Sequence, residues 1–170
     1  MKINFRSDNE SPAAPQIMAA LERANQGPAW AYATDQWSAR LDDAFSELFG
    51  TATHVLPIST GTAANSIALA SVTPPWGAVF AHRAAHIHND ECGAPEFFGH
   101  GLRVVPVDSP DGRLAPEALS QAIRANEGHG VHSYLPTAVS LTQSTECGTV
   151  YGPGEVAAVC AVASDHGMAT

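Results

Sequence analysis

Lysine is almost absent from this 170-residue chain, and Lys2 is the only one. Chemistry that uses an internal lysine as a covalent anchor cannot be completed by the residues that follow it. Basic residues as a class are few, with 8 Lys and Arg against 17 Asp and Glu and a formal net charge of -9. No cluster of Lys or Arg offsets that balance, so neither nucleic acid nor an anionic membrane surface is an expected partner. Cysteine is also scarce. Cys92, Cys147 and Cys160 are odd in number, widely spaced and form no CxxC pair. That excludes a disulfide framework and a zinc ribbon, and it makes a reducing cytoplasm the expected location. No apolar run approaches about 18 residues, and the opening residues 1–8 are polar and charged. A spanning helix and a secretory signal are therefore not expected. GxxxxGK[ST], GxGxxG, GxSxG, HExxH and the kinase signatures are missing, which removes the P-loop, dinucleotide, serine-hydrolase, zincin and kinase readings.

What is present suits one folded domain: 45% hydrophobic residues, 15% charged, and length enough for a sizeable core. Pro15 suits a first helical position, and Ile17, Met18 and Leu21 form a stripe that ends at Gly27-Pro28. Asp35 can cap a second helix carrying Trp37, Leu41, Phe45 and Leu48 at helical spacing, with Gly50 to close it. The run His54-Val55-Leu56-Pro57-Ile58 reads as a short buried strand that ends or bulges at Pro57. The pattern then predicts helices over 63–72, 116–125 and 153–166, strands over 78–81, 103–107 and 138–142, and a helix or irregular turn over 88–98. Met168, Ala169 and Thr170 resemble the opening of a further buried strand, which makes the chain an expected fragment of a larger domain. Strands alternating with helices imply an α/β fold with a mostly parallel sheet covered on both faces.

Three places can carry chemistry. Ser59-Thr60-Gly61-Thr62-Ala63-Ala64-Asn65 joins an expected strand to an expected helix. Free N–H groups, the positive helix end and a glycine that permits close approach can hold a phosphate there, although a plain turn with threonine caps fits as well. His82, His86, His88, Asp90, Glu91 and Cys92 crowd eleven positions. A metal is disfavoured because Gly93 and Pro95 break any long helix. A satisfied surface role suits His82 and His88, and an imidazole lying on a flat heterocycle suits the segment better. The polar stretch 142–151 follows a strand, the usual place for ligands in α/β proteins, though an ordinary loop is as good a reading. Phe5-Arg6-Ser7-Asp8-Asn9 reads bare as a flexible arm.

Taken in order, Phe5-Arg6-Ser7-Asp8, Tyr32 with Asp35, 59–65, Ala85-His86 and Val131-His132 resemble the low-specificity L-threonine aldolases. Ala33-Thr34-Asp35-Gln36-Trp37, 90–98 and 142–151 resemble a bacterial branch of them. The resemblance implies an aspartate-aminotransferase-like (fold type I) large domain that binds pyridoxal 5'-phosphate. It divides the chain into an arm with the first helix, 1–25, and the N-terminal part of the cofactor-binding domain, 26–170, ending before the cofactor-anchoring lysine. It implies cleavage of L-threonine, L-allo-threonine and other β-hydroxy-α-amino acids to glycine and an aldehyde, in a cytoplasmic homo-oligomer built as a dimer of dimers.

By the same resemblance, Gly61 and Thr62 hold the cofactor phosphate and His86 stacks on its ring. His132 approaches the substrate hydroxyl, Ser7 the substrate carboxylate, and Tyr32 lies near the site, reaching it from a neighbouring subunit. Glu91 supports them from behind. Many family members carry Glu-Asn-Thr-His-Asn where this chain has Gln143-Ser144-Thr145-Glu146-Cys147, which leaves the roles of Gln143 and Thr145 open. With no lysine beyond Lys2 and no Asp-Gly-Ala-Arg motif, the chain alone is expected to be inactive. The alternatives are another fold-type-I lyase or aminotransferase, and a non-catalytic truncated fragment.

Overall fold

The structure, a computed structural model, describes residues 10–126 and 129–170. It divides into two compact units, Met1–Pro57 and Ile58–Thr170.

In the first unit, helix α1 spans Pro15–Ala24. Pro15 occupies the first turn, where its missing N–H costs nothing. No α1 residue is buried, and Ile17, Met18 and Leu21 are all more than half exposed. Asp35 does not cap the second helix directly, because that helix starts later than expected, at Leu41 with Arg40 before it; its carboxylate instead organises the turn at 35–38. Oδ1 accepts from the Trp37 and Ser38 backbone N–H groups at 2.8 and 2.9 Å, and Oδ2 accepts from the Ser38 hydroxyl at 2.6 Å. These bonds start a 3-10 turn, Ser38–Arg40, that runs into helix α2, Leu41–Phe49. Gly50 closes α2 in the left-handed region at φ 66°, where a side chain would be strained.

The strand expected over 54–58 does not form among the described residues. Its donors are taken elsewhere. Asp42 of α2 accepts from the Val55 N–H at 2.8 Å and from His54 Nδ1 at 2.8 Å, and the Thr53 N–H donates to Ser46 Oγ at 2.9 Å. Pro57 has no donor to offer, and Leu56 is 82% exposed. The segment is an extended strap tied to a helix by side chains.

In the second unit, helix α3 spans Gly61–Val72 and strand β1 spans Gly77–His82. Two short helices follow, α4 at His86–Asn89 and α5 at Ala94–Phe98, where one helix or an irregular turn was expected. Strand β2, Arg103–Val107, helix α6, Pro116–Ala125, strand β3, Leu135–Ser140, and helix α7, Pro153–Asp165, complete it. The sheet is parallel, in the order β2-β1-β3. Ala169 adds a parallel bridge to Ala138, so the strand-like character expected at 168–170 is present. Pro106 sits on β2, which among the described residues pairs on one side only, and Pro136 sits beside the register shift at Ala78/Val79. Both are positions where a lost ladder donor is tolerated.

Alternation along β1 sends its side chains to two cores. Ala78 and Phe80 pack with Leu119 and Ile123 of α6 and Val159 and Ala163 of α7. Val79 and Ala81 pack with Ala85, Ile87, Leu102 and Val104 beneath α3 and α4. All four β1 residues are fully buried. A strand covered on both faces needs a continuous apolar run instead of an alternating one, and Ala78-Val79-Phe80-Ala81 is such a run.

Candidate active site

Parallel strands deliver whatever follows them to one edge of the sheet, where α/β proteins bind ligands. After β1, three residues lead to His86 at the start of α4. After β3, the 142–151 loop returns across the same edge, and Glu146 Oε1 accepts the His86 backbone N–H at 2.7 Å. That loop is braced from within. Gln143 donates its Nε2 to the Tyr151 carbonyl at 3.0 Å and accepts the Tyr151 N–H at 2.9 Å. Thr145 and Thr149 share a hydroxyl bond at 2.7 Å, and the Tyr151 hydroxyl accepts the Leu114 N–H at 2.5 Å. Burial pushes the Tyr151 phenol above its ordinary pKa, outweighing the Leu114 N–H bond that favours the anion. Gln143 and Thr145, whose roles the sequence leaves open, thus act as clamps within the loop.

The imidazole of His86 is half exposed, and its Nδ1 lies 2.9 Å from Oε1 of Glu91, whose side chain is fully buried. The same oxygen accepts from Asn65 Nδ2 at 2.7 Å. Asn65 is four residues into α3, so this bond brings the first turn of α3 to His86. Thr60 caps that turn, its hydroxyl accepting the Ala63 N–H at 3.1 Å and its carbonyl the Ala64 N–H at 3.1 Å. The N–H groups of Gly61 and Thr62 have no partner among the described residues. A Cβ built on Gly61 would meet nothing within 4 Å, so the helix end opens on free space. The result is a pair of donors without partners among the described residues at a positive helix end, one turn before the Asn65–Glu91 bond that anchors a half-exposed imidazole.

His82 is occupied structurally: Nε2 donates to the Ser109 carbonyl at 2.8 Å and Nδ1 accepts the Ala84 N–H at 3.0 Å. His88 is exposed. Arg83, paired with Asp108 through both carboxylate oxygens, ties the exits of β1 and β2 together. Its hydrogen bonds and charge hold the Asp108 carboxyl below the usual range.

His132 is not in this cluster. It closes a 3-10 turn, Gly130–His132, just before β3, and the Leu135 N–H donates to the Trp76 carbonyl where β1 begins. It therefore stands where the strands start, separated from the His86 edge by the length of a strand, roughly 15–20 Å. Tyr32 lies in the first unit, 98% exposed and at φ 62°. Ser7 lies outside the described residues.

Residues 4–170 match the beta-eliminating lyase family. The chain belongs to that family. It is 41% identical over 164 residues to the low specificity L-threonine aldolases of a Pseudomonas species and of Pseudomonas aeruginosa, covering 96% of this chain and 47% of each relative. The chain thus spans about half the length of the curated relatives it matches. Among solved structures, a threonine aldolase from Leishmania major superposes with a TM-score of 0.83 at 31% identity, over 94% of this chain and 46% of that one. An aspartate aminotransferase from Rhodobacter sphaeroides superposes with a TM-score of 0.58 at 17% identity, over 90% of this chain and 40% of that one. The fold is the aspartate-aminotransferase-like one that the family resemblance implied.

Within this beta-eliminating lyase chain, Asn65 and Glu146 fall inside the 59–65 and 142–151 motifs, but neither was given a role of its own; the structure adds both to the candidate site. Asn65 had a signal: it closes the 59–65 motif, one turn into helix Gly61–Val72, and is the one amide side chain on that helix. Glu146 had none beyond its place in a polar loop, because its partner is sixty residues away.

Proposed function

We propose that the protein is a pyridoxal-phosphate-dependent aldolase that cleaves L-threonine, L-allo-threonine and related β-hydroxy-α-amino acids to glycine and an aldehyde. The observation that carries this reading is the open start of α3 beside the half-exposed His86 imidazole. The donor set fits the cofactor: two unpaired N–H groups and the helix dipole suit a phosphate dianion, and a flat imidazole suits a pyridine ring. Bound there, the cofactor would supply an electron sink for the pair released when the Cα–Cβ bond of the substrate breaks.

The chain's own residues divide the remaining work. Gly61 and Thr62 hold the phosphate, and His86 lies against the ring. Ser7 and Tyr32 contact the substrate. His132 takes the β-hydroxyl proton, a task an imidazole performs well near neutral pH. That role for His132 rests on the family resemblance, as does a homo-oligomer built as a dimer of dimers. The setting is a cytoplasm that keeps Cys92, Cys147 and Cys160 reduced. With Lys2 its one lysine, the chain by itself binds the cofactor phosphate but does not turn over.

Phosphorus NMR of pyridoxal phosphate titrated with the chain tests this reading. The expected result is a shifted, broadened phosphate line that Gly61→Ala weakens while the melting temperature does not fall, since the added Cβ meets only open space. A phosphate line that never moves would overturn the reading. Acetaldehyde from L-threonine and the chain alone would overturn the assigned division of labour.

A further inference from the structure

Glu91 is an unusual group to bury. Its side chain is fully enclosed, Oε1 takes both the His86 Nδ1 and the Asn65 Nδ2 contacts, and Oε2 has no hydrogen-bond partner among the described residues. A carboxylate enclosed in this way is costly unless it is paired. Here both pairings converge on one atom. Asn65, on the neighbouring helix, can only donate from Nδ2, so it fixes Oε1 as an acceptor on the side facing His86. A carboxylate oxygen can only accept, so the remaining contact then places the proton on His86 Nδ1. The second ring nitrogen, Nε2, has no partner among the described residues.

We propose that Asn65 and Glu91 together are positioning residues that lock His86 as its Nδ1–H tautomer, with Nε2 left as a bare acceptor on the open side of the site. A histidine whose Nδ1 proton is held by a carboxylate has a fixed ring plane and an enriched ring, the arrangement by which outer partners orient functional imidazoles. The His86 backbone is fixed as well, through Glu146, so backbone and ring are anchored by separate carboxylates. The usefulness of the fixed plane for stacking rests on the cofactor reading above. The tautomer itself does not.

The experiment is nitrogen-edited NMR of the His86 ring in the full chain at alkaline pH, where the imidazole is neutral. The wild-type ring is expected to show a protonated Nδ1 and a bare Nε2. Glu91→Gln preserves shape but can donate to Nδ1, so the balance should move to the Nε2–H form. Asn65→Ala, which leaves Oε1 free to turn, should move it the same way to a smaller extent. It serves as the deciding variant if circular dichroism shows Glu91→Gln unfolded. A wild-type ring protonated on Nε2, or a folded variant with no change in tautomer, would overturn the lock. Pyridoxal phosphate is then added to the wild-type chain. A locked tautomer whose resonances ignore it supports the lock while sinking the cofactor reading.

Discussion

The two units are built from similar ingredients and handle their apolar side chains differently. In the first, α1 and α2 carry apolar stripes, yet neither helix contributes a buried residue, and Leu48 and Phe49 are 72% and 62% exposed. Its order comes from side chains that satisfy backbone donors: Asp35 at the 3-10 turn, Asp42 and Ser46 on the 53–55 strap. In the second, Phe80, Leu119, Ile123 and Val159 are fully enclosed and the sheet joins segments far apart in sequence. Caps are enough to shape a helix end. Burial on both faces is what makes a segment stable, because it adds roughly 1.5–3 kcal/mol for each large side chain enclosed.

The sharpest way to break this contrast is a matched pair of truncations. Phe80→Ala removes a fully enclosed ring that packs edge-on to Tyr134 at 6.4 Å between centroids. It should destabilise the chain by about 3–5 kcal/mol. Phe49→Ala removes a ring whose aromatic contact is with Phe45 at 5.9 Å on an exposed face. It should stay within about 0.5 kcal/mol. Urea melts followed by circular dichroism decide between them, and equal losses would mean that exposure does not separate the units.

A smaller effect is expected where the second unit relies on a cap. Thr60→Ala removes the hydroxyl that accepts the Ala63 N–H and should cost about 1 kcal/mol in the same melts. Thr60→Ser keeps the oxygen and should restore most of that loss. If both variants behave alike, the turn at α3 is held by its backbone, and the cap matters only to the opening beside Gly61.

Much of this was legible in the sequence, for identifiable reasons. The run Ala78-Val79-Phe80-Ala81 announces a strand buried on two faces, and Leu119 and Ile123 at helical spacing announce the inner side of α6. The parallel α/β fold follows from the alternation of strands and helices, and the family from the resemblance carried by motifs such as 59–65, 85–86 and 90–98. The strap at 54–58 misled, because its pattern is apolar while its donors go to Asp42 and Ser46, side chains that no periodicity connects to it. Asn65, Glu91 and His86 converge across 26 positions on a single oxygen. The motifs name His86, suggest Glu91 and end on Asn65, but only the fold shows that Asn65 and His86 meet on one Glu91 oxygen. His132 shows the opposite limit. A residue type and its flanking motif do not say at which edge of a parallel sheet it will stand, and the register of β3 on β1 puts it at the strand beginnings.

The gentlest test acts on the first unit alone, through pH. Asp35 is held below its ordinary carboxyl value of 3.8 first by the Ser38 hydroxyl, then by backbone N–H groups. Asp42 is held below the same value first by the Val55 N–H, then by His54. Each folded-state value is depressed relative to the unfolded chain. Their contribution is therefore fully present above about pH 4 and is lost as pH falls through the folded values. Both carboxyls are solvent-exposed, so the expected consequence is local loosening and not global unfolding. On acidification, the Trp37, Ser38 and Val55 amide resonances should move and exchange faster while those of Val79 and Phe80 hold, because β1 has no carboxylate among its own bonds. If β1 amides respond first, the second unit is the acid-sensitive one, and burial is not what separates the two.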